Sequence, residues 1–173
     1  MKRSFTLIEL MISCAILTIL IFALFQAMDT GRNLWFSGDV SMQLRQEIIK
    51  TFARMERELK TTRPAQINLT IGTSGPTLTF KIPQDVNGDG TILDAYGNIE
   101  WSPNITYTLN GANQITRTDS IRAAVIANNV TSLRFSRPIS LANILQIDIT
   151  VNKTTLNGRQ LQDSGQLIIK MRN

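Results

Sequence analysis

The sequence predicts an α+β fold, with one long N-terminal helix packed on an antiparallel β-sheet domain. Three observations carry this. An apolar run extends from Phe5 to Met28 and holds a single acid, Glu9. Apolar residues then recur at helical spacing from Val40 to Leu59. Beyond Pro64 the period changes to two, in short segments punctuated by Gly, Asn and Pro.

The first run is long enough to span a bilayer, which needs about 20 apolar residues. No Pro interrupts it. From Asp29 to Gly38 the helical signal weakens, because Gly31 and Gly38 both lower helix propensity. It returns as a stripe of Val40, Leu44, Ile48, Phe52, Met55 and Leu59, while Arg45, Gln46, Lys50, Arg54 and Arg57 mostly fall elsewhere. Pro64 marks the stop. Unbroken from Phe5 to Lys60, such a helix would measure about 84 Å at its ordinary rise. Ile67, Leu69 and Ile71 then alternate with polar residues, as do Leu78, Phe80 and Ile82, and the two read as a hairpin around Gly72–Pro76. Ile105–Leu109 and Gln114–Arg117 flank Asn110-Gly111, a strong turn pair. Val130–Arg137 reads as a further strand. Ile144–Val151 and Gln166–Met171 read as a last pair joined by a polar loop from Asn152 to Gly165. About seven short strands after one long helix suggest an antiparallel sheet wrapped on that helix.

Composition narrows the function. A chain of 173 residues leaves room for one modest domain outside the bilayer. The formal net charge is +5, and falls to +3 without Lys2 and Arg3. That balance, with no basic cluster interleaved with aromatics, argues against a nucleic-acid partner. The basic stretch from Arg45 to Lys60 is largely offset by Glu47, Glu56 and Glu58. Lys2 and Arg3 hold the N-terminus in the cytoplasm under the positive-inside rule, which puts everything after Met28 outside. The sole cysteine, Cys14, lies in the span, so no intramolecular disulfide can form.

Glu9 is the anomaly. A carboxylate within a membrane span costs about 3 kcal/mol unless it finds a partner, and intramembrane acids are functional by default. Lys2-Arg3-Ser4 followed by Phe5-Thr6-Leu7-Ile8-Glu9 resembles the processing site of type IV prepilins and of the pseudopilins of type II secretion. The resemblance covers about 25 residues and joins charged leader, aromatic first residue, fifth-position Glu and apolar span in order. It implies a prepilin peptidase that cuts the Ser4–Phe5 bond and N-methylates Phe5, and an assembly role for Glu9 opposite the N-terminal amine of a neighbouring subunit. The family normally has Gly before the cut, where this chain has the similarly small Ser4. The implied organisation is a leader over 1–4, a transmembrane half-helix over 5–28, an amphipathic periplasmic half over 29–63, and a β-rich domain over 64–173.

A second, more diffuse resemblance covers most of the C-terminal half. A hairpin, a tip loop, Trp101 before Ile105-Thr106-Tyr107, then Asn128 to Phe135, is similar to minor pseudopilins of the J type and to related minor pilins. It implies other pilins or pseudopilins as partners in a hetero-oligomeric filament or tip complex, together with an inner-membrane assembly platform. The location it implies is the bacterial inner membrane, single-pass, with the C-terminal domain in the periplasm. Two other readings of the N-terminus compete with this one. A secretory signal would have a shorter apolar core and a small-residue cleavage site, and no A-x-A pattern ends this run. A plain membrane anchor, carrying a periplasmic binding module that never polymerises, would leave Glu9 incidental.

One loop carries possible metal chemistry. Asp85-Val86-Asn87-Gly88-Asp89-Gly90-Thr91-Ile92-Leu93-Asp94 resembles the start of an EF-hand-like calcium loop. Asp85, Asn87, Asp89 and the Thr91 carbonyl occupy the first, third, fifth and seventh positions, with Gly90 at the sixth. The twelfth position, ordinarily a bidentate Glu, is Tyr96, for which Asp94 or Glu100 would have to substitute. The competing reading is a decorated turn, since Asn-Gly and Asp-Gly favour turns without metal. No cofactor is otherwise required. Catalysis is not expected: with no His and one intramembrane Cys, the usual nucleophile–base pairs are missing, and no Gly-rich phosphate loop appears.

Overall fold

The computed structural model describes residues 6–139, 143–155 and 157–172. Helix α1 runs unbroken over Leu7–Leu59, 53 residues or about 80 Å. Gly31 and Gly38 do not interrupt it, and open space surrounds both. Thr6 caps its start and Lys60 its end. Pro64 opens a short 3-10 turn, Pro64–Gln66, where its missing N–H costs nothing.

Among the described residues eight strands follow: β1 (Ser74–Gly75), β2 (Leu78–Phe80), β3 (Ile105–Leu109), β4 (Ile115–Thr118), β5 (Ala123–Ala127), β6 (Val130–Ser136), β7 (Ile144–Thr154) and β8 (Gln160–Lys170). They form two antiparallel sheets rather than the single one expected, ordered β1-β6-β7-β8 and β2-β3-β4-β5. The chain enters the first sheet at β1, builds the second, and returns. The expected hairpin of Ile67–Ile71 with Leu78–Ile82 is mostly absent. Only an isolated bridge, Ile67↔Phe80, remains of it. The 67–73 segment is held otherwise: Arg137 Nη1 donates to the Leu69 carbonyl (2.7 Å), and Gly72, at φ +81°, donates to the Arg137 carbonyl (2.7 Å). A left-handed residue at Gly72 turns the chain into β1.

The Asn110-Gly111 hairpin forms as predicted. Asn110 Oδ1 accepts from the N–H groups of Ala112 and Gln114. Strand β5, which sequence reading missed, pairs with β4 across an irregularity at Ile115/Thr116. Its Ala-rich run carries little strand preference. The expected loop over Asn152–Gly165 is instead part of a long hairpin. Strands β7 and β8 pair without a slip from Ile144↔Lys170 to Thr154↔Gln160, closed by a turn at Thr155–Arg159 in which Gly158 takes φ +76°.

Core packing joins both sheets to the second half of α1. Leu44, Ile48, Met55 and Leu59 are buried with Phe80, Tyr107, Phe135, Leu145, Ile147 and Ile149 in one cluster, and Val40 and Phe52 pack at its margin. The Phe80 and Tyr107 rings stack at 5.2 Å. Strand β8 runs along the helix in the same direction. Its leading turn meets the helix through Asn157–Asn33, its middle through Asp163–Arg45 (3.7 Å), and beyond its end the Arg172 N–H donates to the Thr62 carbonyl. Gly165 marks the closest approach: a Cβ there would sit 2.7 Å from Ile48 Cγ2 and 2.8 Å from Phe52 Cε2. A glycine inside a strand pattern signals this kind of contact.

Candidate functional site

The first turn of α1 is built as a capping box. Thr6 Oγ1 accepts from the Glu9 N–H (3.4 Å), and Glu9 Oε2 accepts from the Thr6 N–H (3.3 Å) and Thr6 Oγ1–H (3.2 Å). The pattern is Thr-x-x-Glu, which satisfies two otherwise orphaned N–H groups at a helix start. Glu9 is exposed, and among the described residues no Lys or Arg reaches it. Ser4 and Phe5, the expected cleavage and methylation positions, lie outside the described residues.

The following turns are apolar on every side and bare. Leu10, Ile16, Leu20, Phe22, Leu24 and Phe25 are all exposed. The segment's hydroxyls are satisfied internally: Ser13 Oγ donates to the Glu9 carbonyl and Thr18 Oγ1 to the Cys14 carbonyl, both at 2.8 Å. A membrane-spanning helix needs that internal satisfaction, because lipid offers no hydrogen-bond partners. Helix α1 is long and apolar enough to cross a membrane.

The 83–103 loop closes on itself through bridges Pro83↔Trp101 and Leu93↔Ile99. Asp85 accepts from the N–H groups of Gly88 (2.7 Å) and Gly90 (2.9 Å). Asp89 accepts from the Thr91 N–H and hydroxyl, and Asp94 from the N–H groups of Tyr96 and Asn98. Glu100 takes the Val86 N–H and Asn87 Nδ2, each at 2.7 Å. These hydrogen bonds hold the Asp89 and Asp94 carboxyls below the usual carboxylate range: the Thr91 N–H dominates for the first, the Asn98 N–H for the second. Among the described residues no group of three or more acidic, His or Cys side chains converges as a metal site. Asp85, Asn87, Asp89, Thr91 and Asp94 share one loop, in which Asp85, Asp89 and Asp94 each accept backbone N–H groups and Asn87 Nδ2 donates to Asp89 Oδ2.

A cluster not foreseen from sequence ties α1 to the second sheet. Arg117 Nε donates to both Glu58 oxygens at 3.1 Å, and Tyr107 OH donates to Glu58 Oε2 at 2.9 Å. On the far side Arg117 Nη1 reaches Asp119 Oδ2 at 2.6 Å. Burial, then the nearby Glu58 charge, pushes the Tyr107 hydroxyl well above its ordinary range. The Ile121 N–H, then Arg117, pulls the Asp119 carboxyl down to about 2. The cluster is a brace that fastens Glu58 of α1 to Tyr107 and Arg117 of the second sheet. Its sequence signal was faint, a Glu beside the Met55–Leu59 stripe and an Arg inside a strand.

What these elements define is an α+β protein, pilin-like in architecture, whose long N-terminal helix opens with an apolar run up to Met28 that holds one acid, Glu9. Residues 1–25 match the prokaryotic N-terminal methylation motif, so the chain carries the type IV pilin-like signature at its N-terminus. No curated protein and no solved structure shows a significant match to the chain.

Proposed function

We propose that this protein is a minor pilin or pseudopilin, a structural subunit with no catalytic activity. In this reading prepilin peptidase cuts the Ser4–Phe5 bond and methylates Phe5. The chain is then drawn from the inner membrane into a type II secretion pseudopilus or a type IV pilus tip complex. The observation that carries the reading is Glu9, an acid in a bare apolar helix that matches the methylation motif and whose side chain, among the described residues, is met by Thr6 alone. In lipid, the capping box lowers the cost of that charge without neutralising it. A neighbouring subunit's Phe5 amine would complete the pairing, and the bare helix faces would bury one another, so both terms favour assembly over the membrane-bound monomer. Partner subunits of the same kind and an inner-membrane assembly platform follow from the mechanism.

The test has two readouts. The mature N-terminus, determined by mass spectrometry with and without prepilin peptidase, should begin at N-methylated Phe5. Glu9→Leu should insert and be cleaved, yet fail to enter filaments. An intact leader, or normal assembly of Glu9→Leu, would instead leave a membrane-anchored periplasmic module that does not polymerise.

A further inference from the structure

The unbroken rise of α1 fixes which residues stand at the bilayer surface. From Leu7 to Met28 the helix climbs about 32 Å, close to the hydrocarbon thickness of about 30 Å, and Asp29 is the first charged residue after Glu9. Headgroups add about 5 to 7 Å on each side. Measured from Met28, Thr30 then stands about 3 Å above the hydrocarbon, Asn33 about 8 Å and Trp35 about 11 Å.

Two features meet at this height. The first is Trp35, the largest side chain of the helix and 79% exposed. A helical side chain leans toward the N-terminus of its helix, so this ring lies back toward the headgroups, and Gly31, with no side chain to block it, lines the same groove. Tryptophan favours that layer because its rings are apolar and its N–H is not. The second feature is the turn between β7 and β8. Asn157 Nδ2 donates to Asn33 Oδ1, which holds the turn beside the helix. Between them runs a groove lined by Thr30, Asn33, Leu34 and Ser37 of α1 and by Asn157 and Arg159 of the turn. Arg159 is exposed, and among the described residues no carboxylate pairs with it. Of the charged groups that α1 and the turn bring to this height, Arg32 and Arg159 outnumber Asp29, whose carboxylate accepts from Asn33 Nδ2 (3.5 Å).

Height selects the occupant. The groove is continuous with the membrane span, opens at the headgroup layer, and offers one guanidinium without a carboxylate beside an apolar Leu34 wall. We propose that the groove between α1 and the β7–β8 turn binds the headgroup phosphate of an anionic phospholipid, with the Trp35 ring in the same headgroup layer. The phosphate meets Arg159, and the glycerol and upper acyl carbons meet Leu34. A cation near an anionic lipid surface adds to binding without any covalent step. The inference rests on the membrane anchoring in the proposed function, not on polymerisation.

The test places the full chain in nanodiscs of mixed phosphatidylcholine and phosphatidylglycerol. Nitroxide on the headgroups should quench tryptophan emission about twice as strongly as nitroxide at the middle of the acyl chains, and Trp35→Phe should remove that quenching. The other tryptophan, Trp101, lies against Arg63 beyond the far end of α1 and supplies the unquenched remainder. Native mass spectrometry of the released chain should show phosphatidylglycerol retained over phosphatidylcholine. Arg159→Gln should cut that preference about fivefold, the worth of one cation at an anionic surface, while Arg122→Gln, exposed in the β4–β5 turn, should leave it unchanged. Equal retention of the two lipids, an undiminished preference in Arg159→Gln, displacement of the lipid by millimolar inorganic phosphate, or quenching that is absent or strongest at mid-chain would each overturn the assignment. A chain that leaves the discs altogether would sink the anchoring as well; a chain that stays and shows none of these effects would sink this inference alone.

Discussion

The two halves of α1 have the same backbone and different reasons to exist. From Leu7 to Trp35 the described residues are all exposed, and the side-chain hydrogen bonds of the first turns run within the helix itself. From Phe36 to Leu59 one stripe is buried by two sheets, and flanking polar residues are spent on them: Glu47 on the Asn128 N–H, Glu58 on Tyr107 and Arg117. The lesson is that helical periodicity reports the neighbour. A stripe means one packed face, as in the second half. An apolar surface all round means burial on every side, which lipid or other subunits must supply for the first.

Substitution separates the halves most sharply. Met55→Ala, at a position with no exposed surface, should cost the domain about 3 kcal/mol in denaturant unfolding of the full chain in detergent. Leu24→Ala, in the exposed half, should change the same transition by less than about 0.5 kcal/mol. Equal losses would mean that the halves unfold as one unit and that the contrast is false.

A smaller effect tests the brace that fastens the second half to the sheet. Asp119 falls from an ordinary carboxylate value of 3.8 to about 2 in the folded state. A depressed folded-state value means its contribution is full above 3.8 and is lost as pH falls toward about 2. Unfolding measured across that window should show the native chain losing more stability than Asp119→Asn. Parallel curves would mean that Arg117 and the turn N–H groups do not hold this carboxylate.

The smallest effect concerns the loop above the brace. With Asp85, Asp89 and Asp94 each closed on backbone donors, millimolar calcium should leave the unfolding temperature of the full chain unchanged. A ligand bound only by the folded state raises that temperature by mass action. A clear rise would assign Asp85, Asn87, Asp89, Thr91 and Asp94 as ligands and replace the hydrogen-bonded turn.

Much of this was legible in the residues. The span, the Val40–Leu59 stripe, the stop before Pro64 and the Asn110-Gly111 hairpin are local patterns, set by chemistry within a few positions of one another. Thr6 and Glu9 also announce their capping box by spacing alone, although Glu9 was singled out for its charge and not for its cap. Tertiary structure decided the rest. Ile67–Ile71 has strand alternation yet gave up its hairpin to the Arg137 clamp, a contact about 70 residues away in the chain. Gln160–Gly165 looked like a polar loop because the strand carries polar residues outward and a glycine inward. That glycine makes sense only once Ile48 and Phe52 are seen against it. Division into two sheets, and the Glu58–Tyr107–Arg117–Asp119 brace, likewise depend on pairings between distant segments. Periodicity records which way each side chain faces; which surface it faces is fixed by burial summed over the whole chain.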